Sequence, residues 1–293
     1  MNDSCEFSSN VHQAIHGAPV LVDWHQTVLD REFVFKTSGA DSSATRHRLT
    51  PHSMLSVIKN LLSPIGDSRA AFARISSTLV KKQVSGSERP RVLVVGGGTV
   101  GLGAAPLYES ESLDIIGFDI YRSPYCQLIA DVHSIPFRDN SIDAVIIQAV
   151  LEHVIDPQRA VDEIWRVLKP KGLAYAETPF LQQVHEGPHD FTRFTHSGHR
   201  WLFRHFSEVM SGPFGGPALQ LRWSFEFFAR SLTGSKLIGR LTRLLLFWLP
   251  WIDRLIPHRR CIDNAVGFYF LGEKSDEPIS PREAIKYYSG AQK

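Results

Sequence analysis

Cysteine is scarce in this chain: Cys5, Cys126 and Cys261 lie far apart among 293 residues. Such spacing excludes a disulfide-rich scaffold and provides no zinc-type ligand motif. The histidines of the N-terminal region show no ligand spacing either. We therefore expect a reducing compartment and no bound metal.

Long apolar runs are also lacking. The longest, Leu244 to Trp251, includes Pro250 and is far shorter than the roughly 18 residues that cross a bilayer. The N-terminus lacks the basic and then apolar segments of a secretion signal, so we expect a cytoplasmic protein. A net charge of +2 gives no reason to expect nucleic acid as a partner. Nothing in the sequence indicates an oligomeric state.

The most informative stretch runs from Arg91 to Gly103. Four apolar residues, Val92 to Val95, lead directly into Gly96, Gly97 and Gly98, which predicts a buried strand turning sharply into a helix. With Gly101, these glycines satisfy G-x-G-x-x-G, a pattern that serves several nucleotide ligands. Alone it predicts a nucleotide-like ligand and leaves the chemistry open.

After Arg91, apolar runs alternate with helical periodicity. The predicted strands are Val92–Val95, Asp114–Phe118, Leu128–Ala130, Ile142–Ile147, Leu173–Thr178 and residues 265–274. Asp156 is the expected N-cap of an amphipathic helix, and a second helix is expected from Ser197 to Phe206. The alternation predicts an α/β domain with a mostly parallel sheet, whose ligands lie beyond the carboxyl ends of its strands.

The domain boundaries follow from changes in pattern. Residues 1–85 form an N-terminal extension, with a short strand after Gly17 and two helices. These helices are expected from Thr50 to Leu62 and from about Ser68 to Val84. Residues 86–275 hold the ligand-binding domain, and residues 276–293 form a polar tail.

Asp119 ends the second predicted strand, 23 residues after Gly96. An acid there accepts hydrogen bonds from ribose hydroxyls. Because NAD and S-adenosylmethionine both carry a ribose, Asp119 does not separate the two. An NAD(P)-dependent oxidoreductase therefore stays open at this point.

Four later segments decide the preference. Ala130 to Phe137, Asp139 to Val145, Ala149 to Pro157 and Arg166 to Gly172 resemble the ordered motifs of class I S-adenosylmethionine-dependent methyltransferases. His185 to Thr195 resembles the H-x-x-x-H-D-F-x-R-F-T segment of a small uncharacterised subgroup. The resemblance implies a Rossmann-like sheet of seven strands, mostly parallel, with the last strand antiparallel. It also implies S-adenosylmethionine as cofactor and methyl transfer as activity.

The resemblance assigns the cofactor residues. Gly96, Gly97 and Gly98 would pass under the methionine part, and Gln148 would face its end. Asp119 would hold the ribose. The adenine would meet the three residues Ile120, Asp131 and Val132. One departure is Val94, because the family often has an acid at that position, and a catalytically silent cofactor-binding module therefore also stays open.

Methyl transfer chiefly requires alignment of acceptor and methyl group. A base matters only for a protonated acceptor. The segment after the fifth predicted strand provides four candidates for the acceptor side: His185, His189, Asp190 and Arg193. Asp190 and Arg193 could instead be a structural pair. For Glu152 and His153, capping or packing is the preferred role.

Residues 222–260 form a basic insertion before the last strand. Eight basic residues against two acids give it a charge of +6, and residues 236–256 predict a basic amphipathic helix with tryptophans. Such a helix suits an anionic membrane surface, here the inner face of the membrane. A lid over the pocket, or a contact with another subunit, is the alternative. The predicted acceptor is a small molecule that is methylated on oxygen or nitrogen. Contact with a membrane would favour a glycan- or lipid-linked acceptor.

Overall fold

The computed structural model describes residues 13–35 except 16, 26, 28 and 33, then residues 68–84 and 88–292. The helix expected from Thr50 to Leu62 lies outside the described residues. The helix expected from about Ser68 to Val84 is confirmed, with the same limits.

In the described part of the chain, nine strands form one sheet. They are β1 Gln13–Ile15, β2 Ala18–Val20, β3 Arg91–Val95, β4 Asp114–Asp119, β5 Leu128–Ile129, β6 Ile142–Gln148, β7 Leu168–Pro179, β8 Phe206–Phe214 and β9 Gly267–Lys274. Their order across the sheet is β1-β2-β5-β4-β3-β6-β7-β9-β8. The hairpin β1-β2 adds two strands beside β5, so the sheet extends beyond the seven expected strands.

The seven strands from β5 to β8 confirm the expected topology. Strands β5, β4, β3, β6 and β7 are parallel neighbours. The last strand, β9, lies between β7 and β8 and runs antiparallel to both. This is an α/β sheet whose parallel strands all end at one edge, where a ligand site is expected.

The described helices are α1 Ser68–Val84, α2 Ala105–Tyr108, α3 Pro157–Val167, α4 His196–Leu202, α5 Pro217–Thr233, α6 Lys236–Leu245, α7 His258–Cys261 and α8 Pro281–Lys286. Helix α1 buries Phe72 and Ile75 in a cluster with Tyr175. On the opposite face, Val161 and Ile164 of α3 join a second cluster. The sheet is therefore covered on both faces, as its apolar strands require.

One predicted helix was wrong in its extent. The helix expected from Ser197 to Phe206 ends at Leu202 and is followed by β8, a strand that the sequence pattern did not reveal. The buried Arg200 guanidinium donates to the carbonyls of Phe203 and Phe206, 2.8 and 3.0 Å away, and thereby ties down this turn. Strand β8 lies at the sheet edge and is exposed in its centre, so it lacks the apolar run of a buried strand.

The insertion between β8 and β9 is helical, as expected, and begins at Pro217. Helices α5 and α6 lie against each other, and Gly239 of α6 is buried where an added Cβ would overlap the Arg230 side chain. The Asp253 carboxylate accepts from the backbone N–H groups of Ala218 and Leu219, at 2.8 and 3.0 Å, and so caps α5.

The apolar side of α6 faces outward. Leu237, Leu241, Leu244 and Leu245 are each more than half exposed, Leu245 to 75%. Packing of this segment against its own domain would cover these leucines, which the structure leaves in contact with solvent. Among the described residues, no helix has the length and apolar character needed to cross a bilayer.

Candidate functional site

The glycine turn follows β3 at the carboxyl edge of the sheet. Gly96 has a φ of +69°, a backbone conformation that L side chains rarely adopt. A Cβ on Gly96 would also overlap the Val150 side chain, and one on Gly101 would overlap the Gln148 amide. The turn therefore requires glycine both for its backbone and for the close approach of neighbouring groups.

Asp119, at the end of β4, closes this turn. Its Oδ2 accepts from the Gly98 N–H at 2.9 Å and its Oδ1 from the Ile120 N–H at 2.7 Å. A carboxylate has about four acceptor positions, so each oxygen retains one for a further donor. Burial raises the pKa of Asp119 to about 6. The side chain thus has the two acceptor positions that two ribose hydroxyls need.

Asp131 has partners within the protein. Its Oδ1 accepts from the His133 N–H at 2.9 Å and lies 2.7 Å from His133 Nδ1, while the Thr27 hydroxyl donates to Oδ2. Burial raises the pKa of Asp131, but these hydrogen bonds outweigh burial and hold it below its usual range. Asp131, with buried Val132 beside it, thus links the N-terminal segment to β5. One acceptor position, on Oδ2, remains for an adenine amino group.

Gln148 lies between the glycine turn and a buried carboxylate. Its Nε2 donates to the Leu102 carbonyl at 3.2 Å and to Glu177 Oε2 at 2.6 Å, whereas its Oε1 is buried without a hydrogen-bond partner. Glu177 is opposite Gln148 in the β6–β7 register and also accepts from the Tyr175 hydroxyl. Burial raises the pKa of Glu177. Gln148 therefore lies beside the Glu177 carboxylate, which the sequence did not predict.

The chain turns sharply after Gln148. Ala149 has a φ of +54°, which is unusual for a residue with a Cβ. Its N–H donates to the Glu177 carbonyl at 3.1 Å. This conformation leads into a 3₁₀ turn, Leu151–His153, at the carboxyl edge. Strained backbone of this kind is concentrated at functional sites.

The loop after β7 packs onto that turn. The Phe191 N–H donates to the Glu152 carbonyl at 2.8 Å. Arg193 pairs with the buried Asp190 carboxylate through both of its terminal nitrogens and donates from Nε to the Gln182 carbonyl at 3.0 Å. The Arg193 guanidinium holds the pKa of Asp190 well below its usual range. Asp190 and Arg193 are therefore engaged in holding the loop.

Glu152, His153 and His185 meet beneath this loop. Glu152 has a side chain only 1% exposed, and no hydrogen-bond partner meets either of its oxygens. Burial raises the pKa of Glu152 to about 7, and the charge of Glu177 contributes to the increase. Of the two preferred roles of Glu152, capping has no support in its contacts, whereas its burial agrees with packing. His189, in contrast, has an exposed side chain outside this group.

Tyr121 has its hydroxyl against Gly98, where an added Cβ would overlap it. Burial raises the pKa of Tyr121 to about 12, and the nearby charge of Asp119 contributes. Tyr121 was missed in the sequence because its place over the turn depends on the bend after β4.

The sequence around the glycine turn also matches a known protein family. Residues 93–176, which contain the glycine turn, Asp119, Asp131 and Gln148, match the model described as a methyltransferase domain. The chain is similar to a demethylmenaquinone methyltransferase of Renibacterium salmoninarum, 38% identical over 104 residues, which are 32% of this chain and 43% of that protein.

Two further proteins are similar to this chain over a comparable or larger part of its length. An uncharacterised methyltransferase of Mycobacterium tuberculosis is 38% identical over 92 residues, 28% of this chain and 37% of that protein. The solved structure of a putative sarcosine dimethylglycine methyltransferase from Galdieria sulphuraria matches with a TM-score of 0.45 and 17% identity, over 74% of this chain and 93% of that one.

The chain spans less than half the length of the curated relatives first found to match it. The matched part is nevertheless the part that the geometry singles out. It contains β3 to β7 almost completely, in the expected order, together with the ribose-type acid at the end of β4. Residues 93–176 therefore match a methyltransferase domain, and this match supports S-adenosylmethionine as the cofactor.

Proposed function

We propose that this chain transfers a methyl group from S-adenosylmethionine to an oxygen or nitrogen of a small acceptor molecule. The observation that carries the proposal is the Asp119 carboxylate, which closes the glycine turn and retains one acceptor position on each oxygen. An oxidoreductase of the NAD type is not favoured, because the family match covers the motifs beyond the glycines.

The cofactor's adenosine part is assigned to the β4 side. Asp119 would accept from the ribose hydroxyls, and Ile120 beside it would pack on the adenine. Asp131 and Val132 follow β5, and the acceptor position that Asp131 Oδ2 retains would receive the adenine amino group. Gly96, Gly97 and Gly98 add no side chains of their own to the turn, and the Val150 and Tyr121 side chains lie against Gly96 and Gly98.

The methionine end is assigned to Gln148 and Glu177. Val94, where the family often has an acid, is buried in an apolar cluster with Ile146 and Tyr175. Glu177 lies two residues after Tyr175 on β7, so both side chains face the same side of the sheet. We assign to Glu177 the anionic role that Val94 does not fill, toward the cofactor's ammonium group.

The chain's task in the reaction is positioning. When bound, the cofactor supplies a methyl group on a cationic sulfur; transfer breaks that C–S bond, forms a bond to the acceptor atom and releases a neutral thioether. His185 and its neighbours Glu152 and His153 are assigned to the acceptor side, where a hydroxyl acceptor must lose its proton. Asp190 and Arg193 hold this loop in place, and His189 lies at its exposed rim.

The test of activity is transfer of label. Cell extracts, separated into aqueous and lipid fractions, are incubated with the chain and methyl-labelled S-adenosylmethionine. We expect label in one fraction with the natural chain and none with Asp119→Ala, because that variant cannot hold the ribose. Binding of S-adenosylhomocysteine without label in any fraction would instead favour a catalytically silent module.

The acceptor's setting is inferred from the insertion. The exposed leucines of α6 lie beside exposed basic residues, Lys236 and Arg240. An apolar helix side with basic residues nearby suits the surface of an anionic membrane. We therefore propose that residues 236–256 contact the inner face of the membrane and that the acceptor is lipid- or glycan-linked.

Sedimentation with vesicles tests this contact. We expect the chain to bind vesicles that contain phosphatidylglycerol and to bind phosphatidylcholine vesicles less well. The double variant Leu241→Glu, Leu245→Glu should bind at least about 100-fold more weakly, since each buried leucine contributes roughly 1.5–3 kcal/mol. Ile285→Glu, on the exposed side of α8, is the control and should bind like the natural chain. Equal binding by the double variant would refute the contact, and a dimer lost in that variant would identify a subunit interface instead.

A further inference from the structure

The Glu152, His153 and His185 side chains direct three ligand-type atoms at one point. Glu152 Oε1 lies 3.7 Å from His153 Nε2 and 3.9 Å from His185 Nε2. All three ligand atoms lie within 4.8 Å of one another. In a tetrahedral zinc site with bonds of about 2.0–2.1 Å, ligand atoms are about 3.3 Å apart. Small side-chain rotations would therefore bring the three atoms to metal-binding distance.

The carboxylate at the centre of this group lacks any other partner. The Glu152 side chain is 1% exposed, and both oxygens are without a hydrogen bond. A buried carboxylate in this state is costly, and such groups are normally paired or bound to metals. The distances to the two imidazoles exceed hydrogen-bond length, so a simple ion pair does not satisfy Glu152.

Both histidines have the hydrogen bonds that metal ligands usually have. His153 Nδ1 lies 2.8 Å from the His189 carbonyl oxygen. His185 Nδ1 lies 3.3 Å from the Gln183 carbonyl oxygen and 3.4 Å from the Asp190 carboxylate. Acceptors at Nδ1 hold the proton there and leave the Nε2 lone pair for a metal. In each ring, Nε2 is the nitrogen that faces Glu152.

We propose that Glu152, His153 and His185 bind one divalent transition-metal ion through Oε1 and the two Nε2 atoms. Two imidazoles and one carboxylate form a ligand set known for zinc and for non-haem iron. Three protein ligands leave positions open, which is the arrangement of catalytic rather than structural sites. An acceptor hydroxyl bound there would lose its proton to solvent more easily. This last role rests on the proposed methyl transfer, whereas metal binding does not.

Metal titration of the full chain tests the site. After treatment with a chelator, the protein is titrated with Zn²⁺ and, separately, with Co²⁺, whose visible absorption reports its ligands. We expect one equivalent bound, and affinity lower by at least about 100-fold in Glu152→Gln and in His185→Ala. His189→Ala, in the same loop but outside the ligand group, is the matched control and should bind like the natural chain.

Two results would overturn the site. One is no stoichiometric Zn²⁺ or Co²⁺ binding by the natural chain. The other is the same affinity and Co²⁺ spectrum in His185→Ala. Affinity for S-adenosylhomocysteine is measured on every variant, because its retention shows that the variant is folded and that the cofactor site is intact. Loss of metal binding with retained cofactor binding thus separates this proposal from the proposed function.

Discussion

Asp119→Ala is expected to lower the affinity for S-adenosylhomocysteine about 100-fold or more. The variant removes the acceptor of two ribose hydroxyls, and hydrogen bonds to a charged group are worth roughly 1.5–3 kcal/mol each. Asp119→Asn keeps one acceptor oxygen, so its affinity should lie between those of the natural chain and Asp119→Ala. Asp114→Asn, at the opposite, exposed end of the same strand, is the control. Calorimetry measures all four proteins, and undiminished affinity in a folded Asp119→Ala would show that the ribose site is misplaced.

The same carboxylate predicts a pH dependence. Burial raises the pKa of Asp119 to about 6, and ribose hydroxyls donate to the ionised form. Ligand affinity should therefore fall as the pH decreases through 6, by about tenfold at about pH 5, where roughly one carboxyl in ten is ionised. The ligand for this series is 5′-methylthioadenosine, which has the ribose but no amino acid end, so Glu177 does not contribute. A profile that is equally steep in Asp119→Asn would assign the titration to another group.

The sequence was informative where side chains follow directly from local pattern. The apolar run Val92 to Val95 and the glycines behind it predicted β3 and its turn correctly. The position of Asp119 at the end of β4 was also predicted correctly, because the apolar run before it fixes where the strand ends. Both features depend on neighbours in the chain, so no knowledge of the rest of the fold was needed.

Features that depend on register were missed. Glu177 is one of two polar residues near the end of β7, and only its pairing with Gln148 makes it a candidate for the proposed cofactor site. Glu152 and His185 are 33 positions apart in the sequence, and they meet because β6 and β7 end at the same edge of the sheet. No local spacing reveals such pairs.

Internal partners of a predicted residue were also invisible. Asp131 matched a cofactor residue, but Thr27, more than 100 positions earlier, occupies one of its oxygens. The outward direction of the α6 leucines could not be predicted either, because an amphipathic pattern gives a face and not what covers it. Tertiary packing decides both.

Glu177→Gln is expected to separate the two ends of the cofactor. Loss of the carboxylate should lower the affinity for S-adenosylhomocysteine about 10- to 100-fold, since a charged hydrogen bond contributes roughly 1.5–3 kcal/mol. Affinity for 5′-methylthioadenosine, which lacks the ammonium group, should stay unchanged. Asp119→Ala, in contrast, should weaken both ligands. Calorimetry with the two ligands distinguishes these patterns.

Glu177→Gln should lower the affinity for S-adenosylhomocysteine but leave the stability of the fold unchanged or higher. The raised pKa of Glu177 means that the folded state disfavours the carboxylate, so the cost is absent at low pH and appears as the pH rises above the unfolded pKa. A neutral amide removes that cost, and Glu177→Gln should melt at or above the temperature of the natural chain near neutral pH. Tyr175→Phe removes a hydrogen bond to Glu177 but keeps the charge, so it should retain affinity for S-adenosylhomocysteine within a few-fold. If Glu177→Gln weakened both ligands alike, or lowered the melting temperature, Glu177 would be a structural residue, and the position occupied by Val94 would have no replacement.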